Sequence, residues 1–333
     1  MAAQPGANAG RNKRRRERQA AEELGPAAAD ALVHARAGDL AALRAVWSAD
    51  ITSTAATVCL CWAAGGGHLG CVRYLAEERG ADAAAHEPRR QRTALHFAAR
   101  DGRVEVARYL LERCAVPVDA PSVHEITALQ LAAWRSQLGT AQLLSAAGAR
   151  VDCVNSFGCG AGHWAALCEP SLQPAAEEHE ALLLLLQEGG ADLRAPNSQG
   201  HTPLHKAAFA GNLVCCRWLA RTLGVLDERE DEAGNYAADM AELGGHAEVR
   251  TMMLLLLLLL VLLLLLLAAH GVPAARTDTC LLPVGGVAAG ALLARLGRRV
   301  LRAGAAARLR RGGGAEGLPR AGADAAPGPG AEC

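Results

Sequence analysis

Histidine recurs in this chain at one kind of place: His96 in Thr93-Ala94-Leu95-His96, His163 in Gly160-Ala161-Gly162-His163 and His205 in Thr202-Pro203-Leu204-His205. Imidazole is the side chain best suited to bind a metal or move a proton near neutral pH, so three of them invite both chemistries. A metal, however, needs its ligands to converge on one point. Residues at one position of a repeated unit are instead held a repeat apart, which argues for a structural role. Cys159 and His163 are four apart and could share a helix face, with Cys168 nearby, but no clear fourth ligand accompanies them. Cys59 with Cys61, and Cys215 with Cys216, are too close for zinc-ribbon pairs, which need two or more intervening residues. No metal or cofactor is expected.

Other signatures of catalysis are missing from the sequence. There is no phosphate-cradling G-x-x-x-x-G-K, no G-x-S-x-G nucleophile elbow, no H-E-x-x-H and no kinase signature. Gly65-Gly66-Gly67 suits a helix-ending turn and follows no strand, so it is not a nucleotide loop. Neither an enzyme nor a small-molecule substrate is expected. Lys plus Arg and Asp plus Glu number 34 each, so overall charge points to no polyanionic partner, and no nucleic acid is expected. The basic run Arg11 to Arg18 reads either as a signal for nuclear import or nucleic acid, or as a solvated charge run. Eleven cysteines at irregular spacing, with no apolar signal segment ahead of the basic run, favour reduced thiols in the cytoplasm or nucleus.

Half of the residues are hydrophobic but only 3% are aromatic, so the apolar mass is chiefly Ala and Leu, which favours an all-α fold of closely packed helices. The motif residues repeat in a frame. Thr93-Ala94-Leu95-His96-Phe97-Ala98-Ala99 returns as Thr127-Ala128-Leu129-Gln130-Leu131-Ala132-Ala133 and as Thr202-Pro203-Leu204-His205-Lys206-Ala207-Ala208. Degenerate copies start at Val58, Gly160 and Tyr236, with a half-match over Ala29 to Ala35. Steps between these threonine slots are 35, 34, 33, 42 and 34 residues, so one unit carries an insertion. Each short helix of small residues ends on a glycine nine places after its slot, at Gly67, Gly102, Gly211 and Gly245, where a helix terminus needs positive φ. A second helix follows, with apolar residues at helical spacing such as Val106, Ala107, Leu110 and Leu111. Gly158, Gly200 and Gly234, two places before their slots, suit the tip of a projecting turn.

These units resemble the ankyrin repeat, whose signature is T-P-L-H-x-A and whose period is about 33 residues. The resemblance implies an all-α solenoid of about six to seven helix-turn-helix units sharing one core, because no unit can bury its apolar face alone. It also implies that the repeated histidine hydrogen-bonds backbone of the neighbouring unit. Two departures stand out in the fifth unit: Gly162 replaces the usual leucine, and Cys168 to Glu178 form the insertion, with two prolines, making this unit the expected soft link. Function in this family is protein recognition on a concave face. Residues just before the threonine slot, and those seven and eight after it, line that face; here they are Arg89, Arg90, Arg92, Arg100 and Arg135 beside Trp134, Phe157, His201 and Phe209. A basic end joined to an aromatic middle suits an acidic, apolar segment of a partner protein.

Four divisions follow. Residues 1–28 are a basic tail with almost no large apolar side chains, expected to be disordered. Residues 29–253 are the repeats. Residues 254–269 are a poly-Leu helix, in a charge-free stretch 252–269 that just meets the lower limit for spanning a bilayer. The alternative to a free adaptor is therefore one anchored at a membrane, and a third reading is a leucine-rich helix packed on the last repeat. Residues 270–333 are an Ala, Gly and Arg-rich tail in which Leu293, Leu296 and Val300 interleave with Arg295, Arg298, Arg299 and Arg302, as in a basic amphipathic helix.

Overall fold

The computed structural model describes residues 24–168, 175–224 and 229–269. Among these the chain forms fourteen α-helices paired in order into seven units. The pairs are α1 (Pro26–Ala37) with α2 (Leu40–Val46), α3 (Ser53–Gly66) with α4 (Leu69–Arg73, continued by a π turn over Tyr74–Glu78), and α5 (Ala94–Arg100) with α6 (Val104–Glu112). Then come α7 (Ala128–Trp134) with α8 (Leu138–Ala146), α9 (Ala161–Ala166) with α10 (Ala176–Glu188), α11 (Pro203–Ala210) with α12 (Leu213–Leu223), and α13 (Ala237–Leu243) with α14 (Ala247–Ala269). The odd-numbered helices pack one on the next in an inner row, and α2 to α12 pack similarly in an outer row. Small residues allow that close stacking. Ala98, Ala99, Ala132, Ala133, Ala165, Ala166, Ala207 and Ala208 are all fully buried between inner helices, while Leu110, Leu144, Leu182 and Leu219 fill the space behind them.

Two ends of this array differ from the sequence expectation. The first helix begins at Pro26, inside the segment read as tail, because proline at the first helical position needs no amide partner and its φ is already helical. Helix α3 likewise starts five residues ahead of its slot, where the Thr52 hydroxyl accepts from the Ala55 N–H at 3.2 Å and caps it. The remainder of the 1–28 tail, the basic run Arg11 to Arg18, most of the insertion and the whole 270–333 tail lie outside the described residues.

At the other end the leucine run is no separate element. One unbroken helix, α14, carries both the outer helix of the last unit and the leucines, and its first turns are committed to the stack through Val249, Met253 and Leu257. Among the described residues no helix is long and apolar enough to cross a membrane.

In the fifth unit, the room left by Gly162 is taken by Leu193 from the turn after α10. A Cβ on Gly162 would sit 2.4 Å from the Leu193 side chain, which is itself buried. The core thus stays filled through an exchange between positions 31 residues apart in the chain.

Candidate partner-binding surface

The repeated histidines are the rivets of the stack. In α5 the Thr93 N–H donates to Nδ1 of His96 at 3.1 Å, which puts the ring proton on Nε2, and Nε2 donates to the Ile126 carbonyl of the next unit at 3.0 Å. His163 repeats the arrangement between the Gly160 N–H (3.2 Å) and the His201 carbonyl (3.0 Å), and His205 between the Thr202 N–H (3.3 Å) and the Asn235 carbonyl (3.3 Å). Gln130 performs the same task with its amide, accepting from Thr127 N–H and donating to the Cys153 carbonyl at 2.9 Å. Burial pushes His96 and His163 down to about 4, and lowers His205, so all three rings are neutral and fully committed at pH 7. Cys159 accepts from the Asn197 side chain at 3.3 Å, and among the described residues no three His, Cys, Asp or Glu side chains are grouped to hold a metal.

A second polar set was not anticipated from the sequence. Ser136 Oγ lies 2.7 Å from Nδ1 of His179, and Nε2 of His179 lies 3.3 Å from Nδ2 of Asn212. Asn212 is oriented by its other bonds: Oδ1 accepts from the Cys215 N–H, and Nδ2 donates to the Ala165 and Ala166 carbonyls. Nε2 of His179 must therefore accept, leaving the proton on Nδ1 to be donated to Ser136. Serine, histidine and asparagine together suggest nucleophilic catalysis, but these residues are 3%, 0% and 0% exposed, so no substrate reaches them. The set pins units four, five and six together.

Projecting turns precede α5, α7, α9, α11 and α13. Four of them are folded by one side chain each. Asn155 Oδ1 accepts from the Phe157 and Cys159 N–H groups, Asn197 Oδ1 from Gln199 and His201, and Asp231 Oδ1 from Ala233 and Asn235, all between 2.7 and 3.0 Å. Glu87 serves the first turn, accepting from the Arg89 and Arg90 N–H groups. Neighbouring tips are joined by single backbone bonds, Val123 to Arg90, Ser156 to His124, Ser198 to Phe157 and Glu232 to Gln199, so the tips form one continuous edge.

On this frame the expected partner-facing residues separate. Arg89 is exposed at the first tip and Arg90 half-buried. Phe157 lies at its tip with its ring 4.9 Å from that of His124. Arg100 pairs with Asp101 at 2.6 Å and lies over the Phe97 ring. Trp134 is half-buried, edge-on to the fully buried Trp164 with centroids 6.2 Å apart, and Arg135 beside it is half-buried. Phe209 is 43% exposed. Arg92 does not belong to the surface: it is 3% exposed. The position just before the slot points inward here, since Ile126 and Cys159 at the same place are buried too, and alternate residues of an extended segment face opposite sides. His201, also at that place, is largely covered and sits 3.2 Å from the Asp231 carboxylate; burial lowers its pKa despite that partner.

Two residues were missed. Seven places after their slots stand Leu167, half-buried, and Leu243, 66% exposed, at the position that also gives Arg100, Trp134 and Phe209. The inner row thus grades from Arg100 through Trp134 and Leu167 to Phe209 and Leu243. Counting seven from the degenerate slots at 160 and 236 would have found them.

Comparison with known proteins agrees with this architecture. The family model for ankyrin repeats matches three times, over residues 20–120, 60–155 and 129–228. Among curated proteins the chain is similar to Ankyrin repeat and SOCS box protein 2 of Rattus norvegicus (35% identical over 80 residues), of Bos taurus (36% over 73) and of Mus musculus (34% over 80). Those matches cover 21 to 23% of this chain and 12 to 13% of the relatives, so the likeness spans a small part of either. Repeat frame, helix pairing and family match coincide, and the chain belongs to the ankyrin-repeat family.

Proposed function

We propose that the chain is a protein-recognition adaptor that holds an acidic, apolar segment of a partner along its inner row, without catalysis of its own. The observation that carries this reading is the exposure of Phe209 and Leu243 in line with Trp134. Stacking does not require large apolar groups there, because the contacts between inner helices are made by the alanines beneath. Aromatic and arginine side chains are the types that dominate interface energetics. Arg89, Arg90, Arg100 and Arg135 lie on the N-terminal side of the strip and would steer an acidic segment into register. The compartment proposed is cytoplasm or nucleus, which fits cysteines such as Cys59, Cys61, Cys215 and Cys216 packed as small core side chains.

Selection of displayed random peptides against the full chain tests the reading. Recovered sequences should combine Asp or Glu with Leu, Phe or Trp, and Phe209→Ser should abolish their capture while the circular dichroism spectrum is retained. Recovery of sequences with no such bias, or capture indifferent to Phe209→Ser and Leu243→Ser, overturns it.

A further inference from the structure

The outer side of α14 is an uncovered leucine face. Leu254, Leu255, Leu258, Leu259 and Leu262 are 40 to 61% exposed, opposite the buried Val249, Met253 and Leu257. Contiguous patches of that kind mark a surface that something covers, and a solenoid end in particular needs a cap whose outer face is polar. The last unit has no such cap among the described residues. We propose that the chain supplies its own: segment 291–302 returns as an antiparallel helix and lays its apolar side on the leucine face of α14.

Length, pattern and charge all fit that occupant. The chain continues for 64 residues past Ala269. The part from 270 to 290 holds Pro273, Pro283, Gly285, Gly286 and Gly290, which suit a connector and not a continued helix. Segment 291–302 then carries Leu292, Leu293, Leu296 and Val300 on one side of a helical projection and Arg295, Arg298, Arg299 and Arg302 on the other. A twelve-residue helix is about 18 Å long, enough to cover the roughly 12 Å from Leu254 to Leu262. Antiparallel docking sets Leu293 level with Leu262 and Val300 level with Leu255. Arg302, at the end of the docked segment, then lies toward the start of α14, where Glu248 is 80% exposed and only loosely paired, 4.0 Å from Arg217. The arginine side faces water, the polar outer surface that a cap requires. A tethered segment also meets the face at an effective concentration of the order of millimolar, which a second copy of the chain reaches only when crowded.

Photo-crosslinking in the full chain decides between occupants. A benzoylphenylalanine placed at Leu258, and separately at Leu255, is irradiated at low protein concentration, with and without vesicles of phosphatidylcholine and phosphatidylserine, and the products are mapped by mass spectrometry. An intrachain bond to 291–302 is expected at both sites. Leu293→Asp with Leu296→Asp should reduce it about tenfold and raise binding of an apolar dye, as loss of two buried leucines predicts. Products joining two copies, products with lipid, or no intrachain product at either site each overturn the proposal. Peptide capture by the inner row is unaffected by these changes, so failure here is distinguishable from failure of the recognition reading.

Discussion

Ser136 holds its hydroxyl 2.7 Å from Nδ1 of His179, although 43 residues separate them and Ser136 itself adopts the left-handed backbone conformation, with φ +53°. It stands nine places after its slot, where the other units have Gly67, Gly102, Gly211 and Gly245, all at positive φ. A non-glycine residue there costs about 1 kcal/mol, which the buried hydrogen bond offsets. Ser136→Ala keeps the strain and leaves the His179 N–H without its acceptor. It should destabilise the protein by about 1 to 3 kcal/mol in urea unfolding. Ser136→Gly should cost less than Ser136→Ala, and the reverse order would show that the hydroxyl is not holding His179.

Stability should fall in acid through the buried histidines. Burial holds His96, His163 and His179 at about 4, below the ordinary 6.5. A base whose folded pKa is depressed contributes stability that is fully present above pH 6.5. That stability declines as the unfolded chain takes up protons and is gone once the pH reaches about 4. His96→Gln should flatten this dependence by about 2 kcal/mol between pH 7.5 and 4.5 while preserving most of the stability at pH 7.5. The reason is on the same stack: Gln130 already makes the equivalent pair of bonds without a titrating group. Urea midpoints at the two pH values supply the measurement.

The frame of the fold was legible because its grammar is local. Thr93, Thr127 and Thr202 each end an extended segment and start a helix, and the residue three places on closes the capping box, so the sequence spells the motif openly at these three units and fixes the frame for the rest. Exchanges made across the stack were not legible. Nothing near Gly162 announces that Leu193 fills its place, and nothing near Ser136 announces His179. The surface was half legible for a similar reason. Position seven after the slot was read at Trp134 and Phe209 but not at Leu167 and Leu243, whose slots are a glycine and a tyrosine. Arg92 is assigned to the concave face by the resemblance, as a residue just before the slot, whereas the pleat of the returning segment turns that position inward.

Removing Leu204 should separate core from surface. It is 3% exposed, so Leu204→Ala should cost about 2 to 4 kcal/mol, the range for a buried leucine whose cavity does not collapse. Phe209→Ala, five residues on and 43% exposed, should cost under about 1 kcal/mol and act on peptide capture instead. Thermal unfolding of the two variants side by side checks the contrast.

The continuous edge of turn tips can be tested at its glycines, because two of them share a backbone conformation but not a neighbour. Gly200 and Gly234 have φ of +75° and +81°, so an added Cβ carries the same intrinsic strain at either place. At Gly200 that Cβ would also come within 2.9 Å of the Glu232 N, the atom that donates to Gln199 and joins this tip to the next. Backbone cannot swing aside as a flexible side chain can. At Gly234, the last tip, a Cβ meets nothing within 4 Å. Gly234→Ala should therefore show only the conformational penalty, about 1 kcal/mol, and Gly200→Ala that penalty plus loss of the Glu232 bond, about 2 to 3 kcal/mol in all. Amide exchange at Glu232 should accelerate in Gly200→Ala and stay unchanged in Gly234→Ala. Equal destabilisation by the two substitutions, with Glu232 equally protected in both, would mean that each tip stands alone and that the edge adds nothing to how the repeats are held in line.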